Sequence, residues 1–111
     1  MPRRRGKYNN CKVKLDGYTF DSKREAEYWV VIKGDPTVSN VVVHPRFELT
    51  PKFANADGVK RRAMHYVADF LVTYKDGTEK VVDVKGVETP LFKIKRLLFE
   101  LKYGKVITIV R

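Results

Sequence analysis

Two aspartates stand where aspartate is out of place. Asp69 lies in Tyr-Val-Ala-Asp-Phe-Leu-Val and Asp83 in Val-Val-Asp-Val-Lys, both runs patterned as strands. Strand interiors disfavour aspartate, and an unpaired buried charge is costly. A pair of salt-bridged structural acids is one explanation, but acids on adjacent strands repel each other. A divalent cation would remove that repulsion. Mg²⁺ favours carboxylate, carbonyl and water oxygens in near-octahedral geometry, so clustered acids suit it. Lys85 follows Asp83 by two residues and shares its face of the strand. Beside a metal-bound carboxylate it could orient an attacking water and stabilise charge on a pentavalent phosphate. By itself it would read as an ordinary strand-end lysine.

Glu25 adds a third carboxylate. On a helix it shares the stripe of Trp29 and Ile32, whereas Glu27 faces the opposite side. Ser22-x-x-Glu25 also fits a capping box, and the two roles compete for one carboxylate. Most remaining acids have local explanations. Asp16, Asp57 and Asp76 precede glycine in turns, Asp35 precedes proline, and Asp21 stands at a helix entry. Glu27, Glu79, Glu88 and Glu100 suit solvated faces or strand ends; Glu48 is left without a role.

The elements must bring these groups together. Residues 12–20 read as a hairpin around Asp16-Gly17, and Ser22 opens a helix that runs to about Lys33, before Gly34 and Pro36. Residues 38–49 read as a strand bent at His44-Pro45, and 50–62 as a long loop. Residues 63–74 and 79–85 read as two long strands. A second helix is capped by Thr89, starts with Pro90 and ends before Gly104, with Leu91, Ile94, Leu97, Leu98 and Leu101 as its expected core stripe. Residues 105–110 close a mixed sheet flanked by helices. The hairpin at residues 75–78 decides the chemistry. A strict two-residue turn would set Asp69 opposite Val84, with the acids on opposite faces. A three-residue loop with Gly77 left-handed and a bulge pairs Tyr74 with Thr78 and sets Asp69 opposite Asp83. The chemistry requires the bulged form.

Asp69 followed by Asp83-Val84-Lys85 resembles the PD-(D/E)XK nuclease signature. Ser22-Lys-Arg-Glu-Ala, Tyr66-Val-Ala-Asp-Phe, Asp83-Val-Lys-Gly and Thr89-Pro-Leu-Phe-Lys-Ile-Lys-Arg together resemble a phage-encoded family of small nucleases, similar to phage endonuclease I and Holliday-junction resolvases. The resemblance spans about residues 8 to 110. It implies an α/β mixed sheet with a restriction-endonuclease-like αβββαβ core. It also implies a metal site of Glu25, Asp69, Asp83 and the Val84 carbonyl, with Lys85 as the motif lysine. Ala68 replaces the proline named in the motif. The implied activity is Mg²⁺-dependent hydrolysis of DNA phosphodiesters, with Mn²⁺ able to substitute, on junctions or other branched DNA in phage recombination or replication. The implied products carry a 5′-phosphate and a 3′-hydroxyl.

Charge agrees with a polyanionic partner. Lys and Arg number 23 against 13 Asp and Glu, a formal net charge of +10, while 43% hydrophobic content argues for a packed domain. We expect a basic arm at residues 1–10 and one nuclease domain at residues 11–111. Lys60, Arg61, Arg62, Lys93, Lys95 and Lys102 are candidate DNA contacts, each alternatively a solvated surface cation. His44 and His65 read as ordinary strand residues. Cys11 is the sole cysteine, which excludes a disulfide framework, and no apolar run is long enough for a membrane helix or signal peptide. A cytoplasmic location follows as the expectation, in the host if the chain is phage-encoded. Two symmetric cuts in a junction would call for a homodimer, with the N-terminal hairpin and the Tyr28-Trp29 helix as candidate interfaces. The alternative function is a non-catalytic basic nucleic-acid-binding protein on a degenerate nuclease fold.

Overall fold

Turn chemistry places the first elements. The computed structural model describes residues 12–111, so Cys11 and the basic arm expected at residues 1–10 lie outside the described residues. Asp16 and Gly17 both take positive φ, 54° and 84°, as a two-residue hairpin turn demands. They join β1 (Val13–Leu15) to β2 (Tyr18–Phe20). The Ser22 hydroxyl then accepts a hydrogen bond from the Glu25 N–H at 3.1 Å and caps α1 (Lys23–Lys33).

Beyond α1, β3 (Val38–Val43) runs to His44, whose φ of 55° turns the chain into β4 (Arg46–Thr50). The loop expected over 50–62 contains a small hairpin, β5 (Phe53–Ala54) with β6 (Lys60–Arg61). Its tip is closed by Asn55, whose side-chain oxygen accepts from the N–H groups of Asp57 and Val59. The single strand expected over 63–74 is two, β7 (Met64–Val67) and β8 (Phe70–Tyr74), broken at Ala68-Asp69. The partner strand causes the break. Pro45 has no N–H to offer the ladder, so its carbonyl accepts from Ala68 N–H while His44 N–H donates to the Asp69 carbonyl. β3 pairs with β8 and β4 with β7 as one antiparallel ribbon, and both of its strands therefore bend at this point.

The chain ends with β9 (Glu79–Val84), α2 (Pro90–Tyr103) and β10 (Ile107–Val110). The main sheet has the order β10-β9-β8-β3, with β10 parallel to β9 and the other pairs antiparallel. Strand alternation splits the core across its two faces. Phe70, Val72 and Val82 pack with Phe20 beneath Ala26, Trp29 and Ile32 of α1. Val81 and Ile107 pack on the other side with Phe92 and Phe99 of α2, joined by Leu49, Tyr66 and Ala68 of the bent ribbon. The result is the mixed α/β architecture expected. With the N-terminal hairpin and the elements from β4 to β7 set aside, the order is αβββαβ.

One expectation about α2 fails. Its caps are as read, with Thr89 accepting from Phe92 N–H and Gly104 left-handed at φ 65°. Its core face, however, is not the leucine stripe: Leu91, Ile94, Leu97 and Leu101 are exposed. The helix packs through Phe92 and Phe99, two turns apart, because aromatic rings fill the wide gap to the ribbon. Phe99 stands edge-on to Phe47 with centroids 5.0 Å apart. Among the described residues no helix is long and apolar enough to cross a membrane.

Candidate active site

The β8–β9 hairpin adopts the bulged form. Gly77 is left-handed at φ 91°, Tyr74 N–H donates to the Thr78 carbonyl, and Gly77 N–H donates back to Tyr74. Pairing then runs Thr73 with Glu79, Val72 with Lys80, Leu71 with Val81 and Phe70 with Val82. The next step of that register sets Asp69 opposite Asp83.

The break at Asp69 frees its side chain for a second task. Its N–H still donates to the Val82 carbonyl, while Oδ2 accepts from Val84 N–H at 2.7 Å. Asp83 is 4% exposed; its Oδ2 accepts from the Tyr66 hydroxyl at 2.6 Å and lies 3.6 Å from Lys85 Nζ. The Lys85 ammonium also sits 4.5 Å from the Phe92 ring centroid, which fixes its direction. Glu25, 2% exposed, reaches the site from α1. Its Oε1 accepts from Asp21 N–H at 2.9 Å, and its Oε2 is 2.9 Å from His44 Nε2. The capping contact is thus made one residue earlier than a capping box requires, which lets the carboxylate face the strands as well.

These groups line one pocket of about 500 Å³, between the first turn of α1 and the ends of β8 and β9. Its electrostatics are those of acids crowded together. Burial, then hydrogen bonding and repulsion from Asp83, with a further push from Glu25, raise Asp69 from 3.8 to about 8, against the opposing Val84 N–H. Burial and the bond to Asp83 push Tyr66 upward too, so it stays a proton donor to Asp83. Three carboxylates around one polar pocket form an oxygen donor set that fits a hard divalent cation. Asp21, Glu25 and His44 also present ligand atoms within 4.8 Å of one another at its α1 side.

Of the residues chosen from sequence, Glu25, Asp69, Asp83, Val84 and Lys85 meet here. The chosen cations do not line the pocket. Lys60 and Arg61 are exposed on β6 and Arg62 follows them; Lys93 is exposed, Lys95 half-buried, and Lys102 lies 3.7 Å from Glu48. That ion pair gives Glu48 its role. Lys23 and Arg24 line the pocket instead, and their signal was available, since both directly precede Glu25 at the helix start. Tyr66 and His44 were also missed. Tyr66 and Ala68 share a strand face, which leaves the tyrosine hydroxyl inside the molecule in need of a partner. His44 is no ordinary strand residue: its left-handed backbone is a strain that non-glycine residues rarely hold. His65 lies at the surface beside Arg46.

The His44 contact can be tested without touching a carboxylate. His44→Asn keeps a residue tolerant of the left-handed conformation but withdraws the imidazole from Glu25. If Glu25 holds a cation, Mn²⁺ affinity by calorimetry should fall about 10-fold or more in this variant, with the fold retained. His44→Ala should also lower the melting temperature, because alanine adds backbone strain.

A family model described as a protein of unknown function (DUF1064) matches residues 5–111. No curated protein and no solved structure matches the chain.

Proposed function

We propose that this chain, which belongs to the DUF1064 family, is a metal-dependent endonuclease that hydrolyses DNA phosphodiesters, with a preference for branched structures. The observation that carries the reading is the convergence of Asp69, Asp83, Glu25 and Lys85 on one pocket, with two of the carboxylates almost fully buried. A protein that only binds nucleic acid gains nothing from burying acids beneath a basic surface, since each repels phosphate.

Asp69, Asp83 and Glu25 would hold Mg²⁺ or Mn²⁺, which supplies neutralisation of phosphate charge and a lower pKa for water. The protein's own groups do the rest. Tyr66 locks the Asp83 carboxylate in place through its 2.6 Å bond. Lys85, held over Phe92, offers its ammonium to the water or to a phosphate oxygen. Lys23 and Arg24 stand at the N-terminus of α1, where free N–H groups and the helix dipole also favour phosphate. Away from the pocket, the ribbon of β4 and β7 bears Arg46 and the β5–β6 hairpin between them bears Lys60 and Arg61, and a two-stranded ribbon is narrow enough for a DNA major groove.

The test is a panel of four-way junction, flap, linear duplex and single-stranded DNA, with matching RNA, incubated with Mg²⁺, Mn²⁺ or EDTA. We expect cation-dependent cleavage of DNA, fastest on branched substrates, and none in EDTA. Binding without cleavage of any substrate would overturn the nuclease in favour of a binding protein.

A further inference from the structure

We infer that the outer face of α2 is where two copies of this chain join, with their α2 helices antiparallel. The helix has two apolar faces; the one carrying Phe92 and Phe99 enters the core, and on the other only Leu98 also packs against it. On the other, Leu91, Ile94, Leu97 and Leu101 are 58%, 54%, 66% and 84% exposed, with Leu98 half-buried beside them. At about 100° per residue these five side chains occupy roughly a third of the helix circumference, and no charged residue falls among them. Val87 and Val106, at 74% and 71% exposure, stand just before and just after the helix in the chain. Scattered exposed aliphatics need no explanation, but a continuous row along one helix marks an interaction surface.

The pattern itself selects a second copy as the occupant. Leu91, Ile94, Leu98 and Leu101 are spaced three, four and three residues apart, a spacing that reads the same in both directions. Two such helices related by a two-fold axis set Leu91 against Leu101 and Ile94 against Leu98, and the same contacts recur on the other side of the axis. Antiparallel alignment also brings Lys93 of one copy level with Glu100 of the other on the same flank of the seam, twice, whereas parallel alignment would turn that flank toward the partner's Lys95 and Lys102. Net charge points the same way. Two chains of +10 repel over most of their surface, and the uncharged face of α2 is where they can approach. Over the roughly 21 Å length of α2, this face supplies the apolar centre of an interface of standard size, about 800 Å² per partner.

Of the interface candidates named from the sequence, the Tyr28-Trp29 helix turns its tryptophan inward. Trp29 is buried in the core, with its indole N–H donating to Asp16 of the hairpin turn. The inference does not rest on nuclease activity; if both hold, the dimer supplies two cleavage centres for two strands.

Sedimentation equilibrium of the full chain at tens of micromolar should give twice the 12.9 kDa monomer mass. Ile94→Glu with Leu101→Glu should give the monomer mass with an unchanged far-ultraviolet spectrum, since both side chains point away from the core. Leu97→Cys in a Cys11→Ser background should form an intermolecular disulfide on mild oxidation, because antiparallel pairing brings the two copies of residue 97 close together. A wild-type monomer at all concentrations would overturn the inference, as would a dimer that survives the double substitution. Failure of the cysteine variant to cross-link would overturn the antiparallel arrangement. None of these outcomes bears on the metal site, which the cleavage panel tests separately.

Discussion

Asp83→Asn will reduce metal-dependent DNA cleavage by about 10³-fold or more, while DNA affinity stays the same or rises. The variant is nearly isosteric. Its amide oxygen can still accept from the Tyr66 hydroxyl, so the bond that anchors residue 83 survives and the fold should persist. What disappears is a negative charge beside Lys85 and opposite Asp69, in the space where cation and phosphate must meet. Removing a carboxylate that repels phosphate favours binding, whereas removing a metal ligand prevents hydrolysis. Paired measurements separate the two effects: single-turnover cleavage with Mg²⁺, and fluorescence anisotropy in EDTA. A variant that cuts at the wild-type rate would show that Asp83 does not belong to the reaction.

The site was legible because its residues broke local rules. An aspartate inside a β-branched run has no propensity reason to be there, and two of them impose a condition on the intervening turn. Gly77 could satisfy that condition by turning left-handed, and it does. Helix caps were equally readable at Ser22, Thr89 and Gly104, because they are local in sequence. His44 and Tyr66 were obscured by distance. The His44 contact with Glu25 spans 19 residues, and that of Tyr66 with Asp83 spans 17. Nothing local to either residue names its partner.

The misreading of α2 has a different cause. Hydrophobic periodicity identifies an apolar face but cannot say what covers it. On α2 the aliphatic row is the stronger periodic signal, yet the aromatic row enters the core. The deciding factor is tertiary: Phe47 and Tyr66 on the bent ribbon leave a gap suited to rings. That ribbon exists because both strands bend at His44-Pro45 and Ala68-Asp69. One bend thus frees Asp69 for the site and builds the surface on which α2 packs.

The same crowding that suits a cation should make the cation-free protein unstable at high pH, and Asp69→Asn will relieve it. Asp69 ionises near pH 8 in the folded chain, against 3.8 for an ordinary aspartate. Below pH 3.8 both folded and unfolded states hold the proton, so Asp69 costs nothing. Between 3.8 and about 8 the unfolded chain gives up a proton that the folded chain retains, and stability falls as pH rises. Asparagine keeps an oxygen for Val84 N–H and has no proton to lose. The variant should therefore gain on wild type progressively across this interval, with its Tm advantage in EDTA largest near pH 8. A saturating divalent cation should reverse the order: at 100 times its Kd it would stabilise wild type by about 2.7 kcal/mol, while the variant responds weakly. Binding to wild type at pH 7 should also release about one proton, measurable by calorimetry in buffers of different ionisation enthalpy. If the two proteins melt in parallel from pH 4 to 8, or both respond equally to Mg²⁺, then Asp69 neither carries the crowding nor holds the ion.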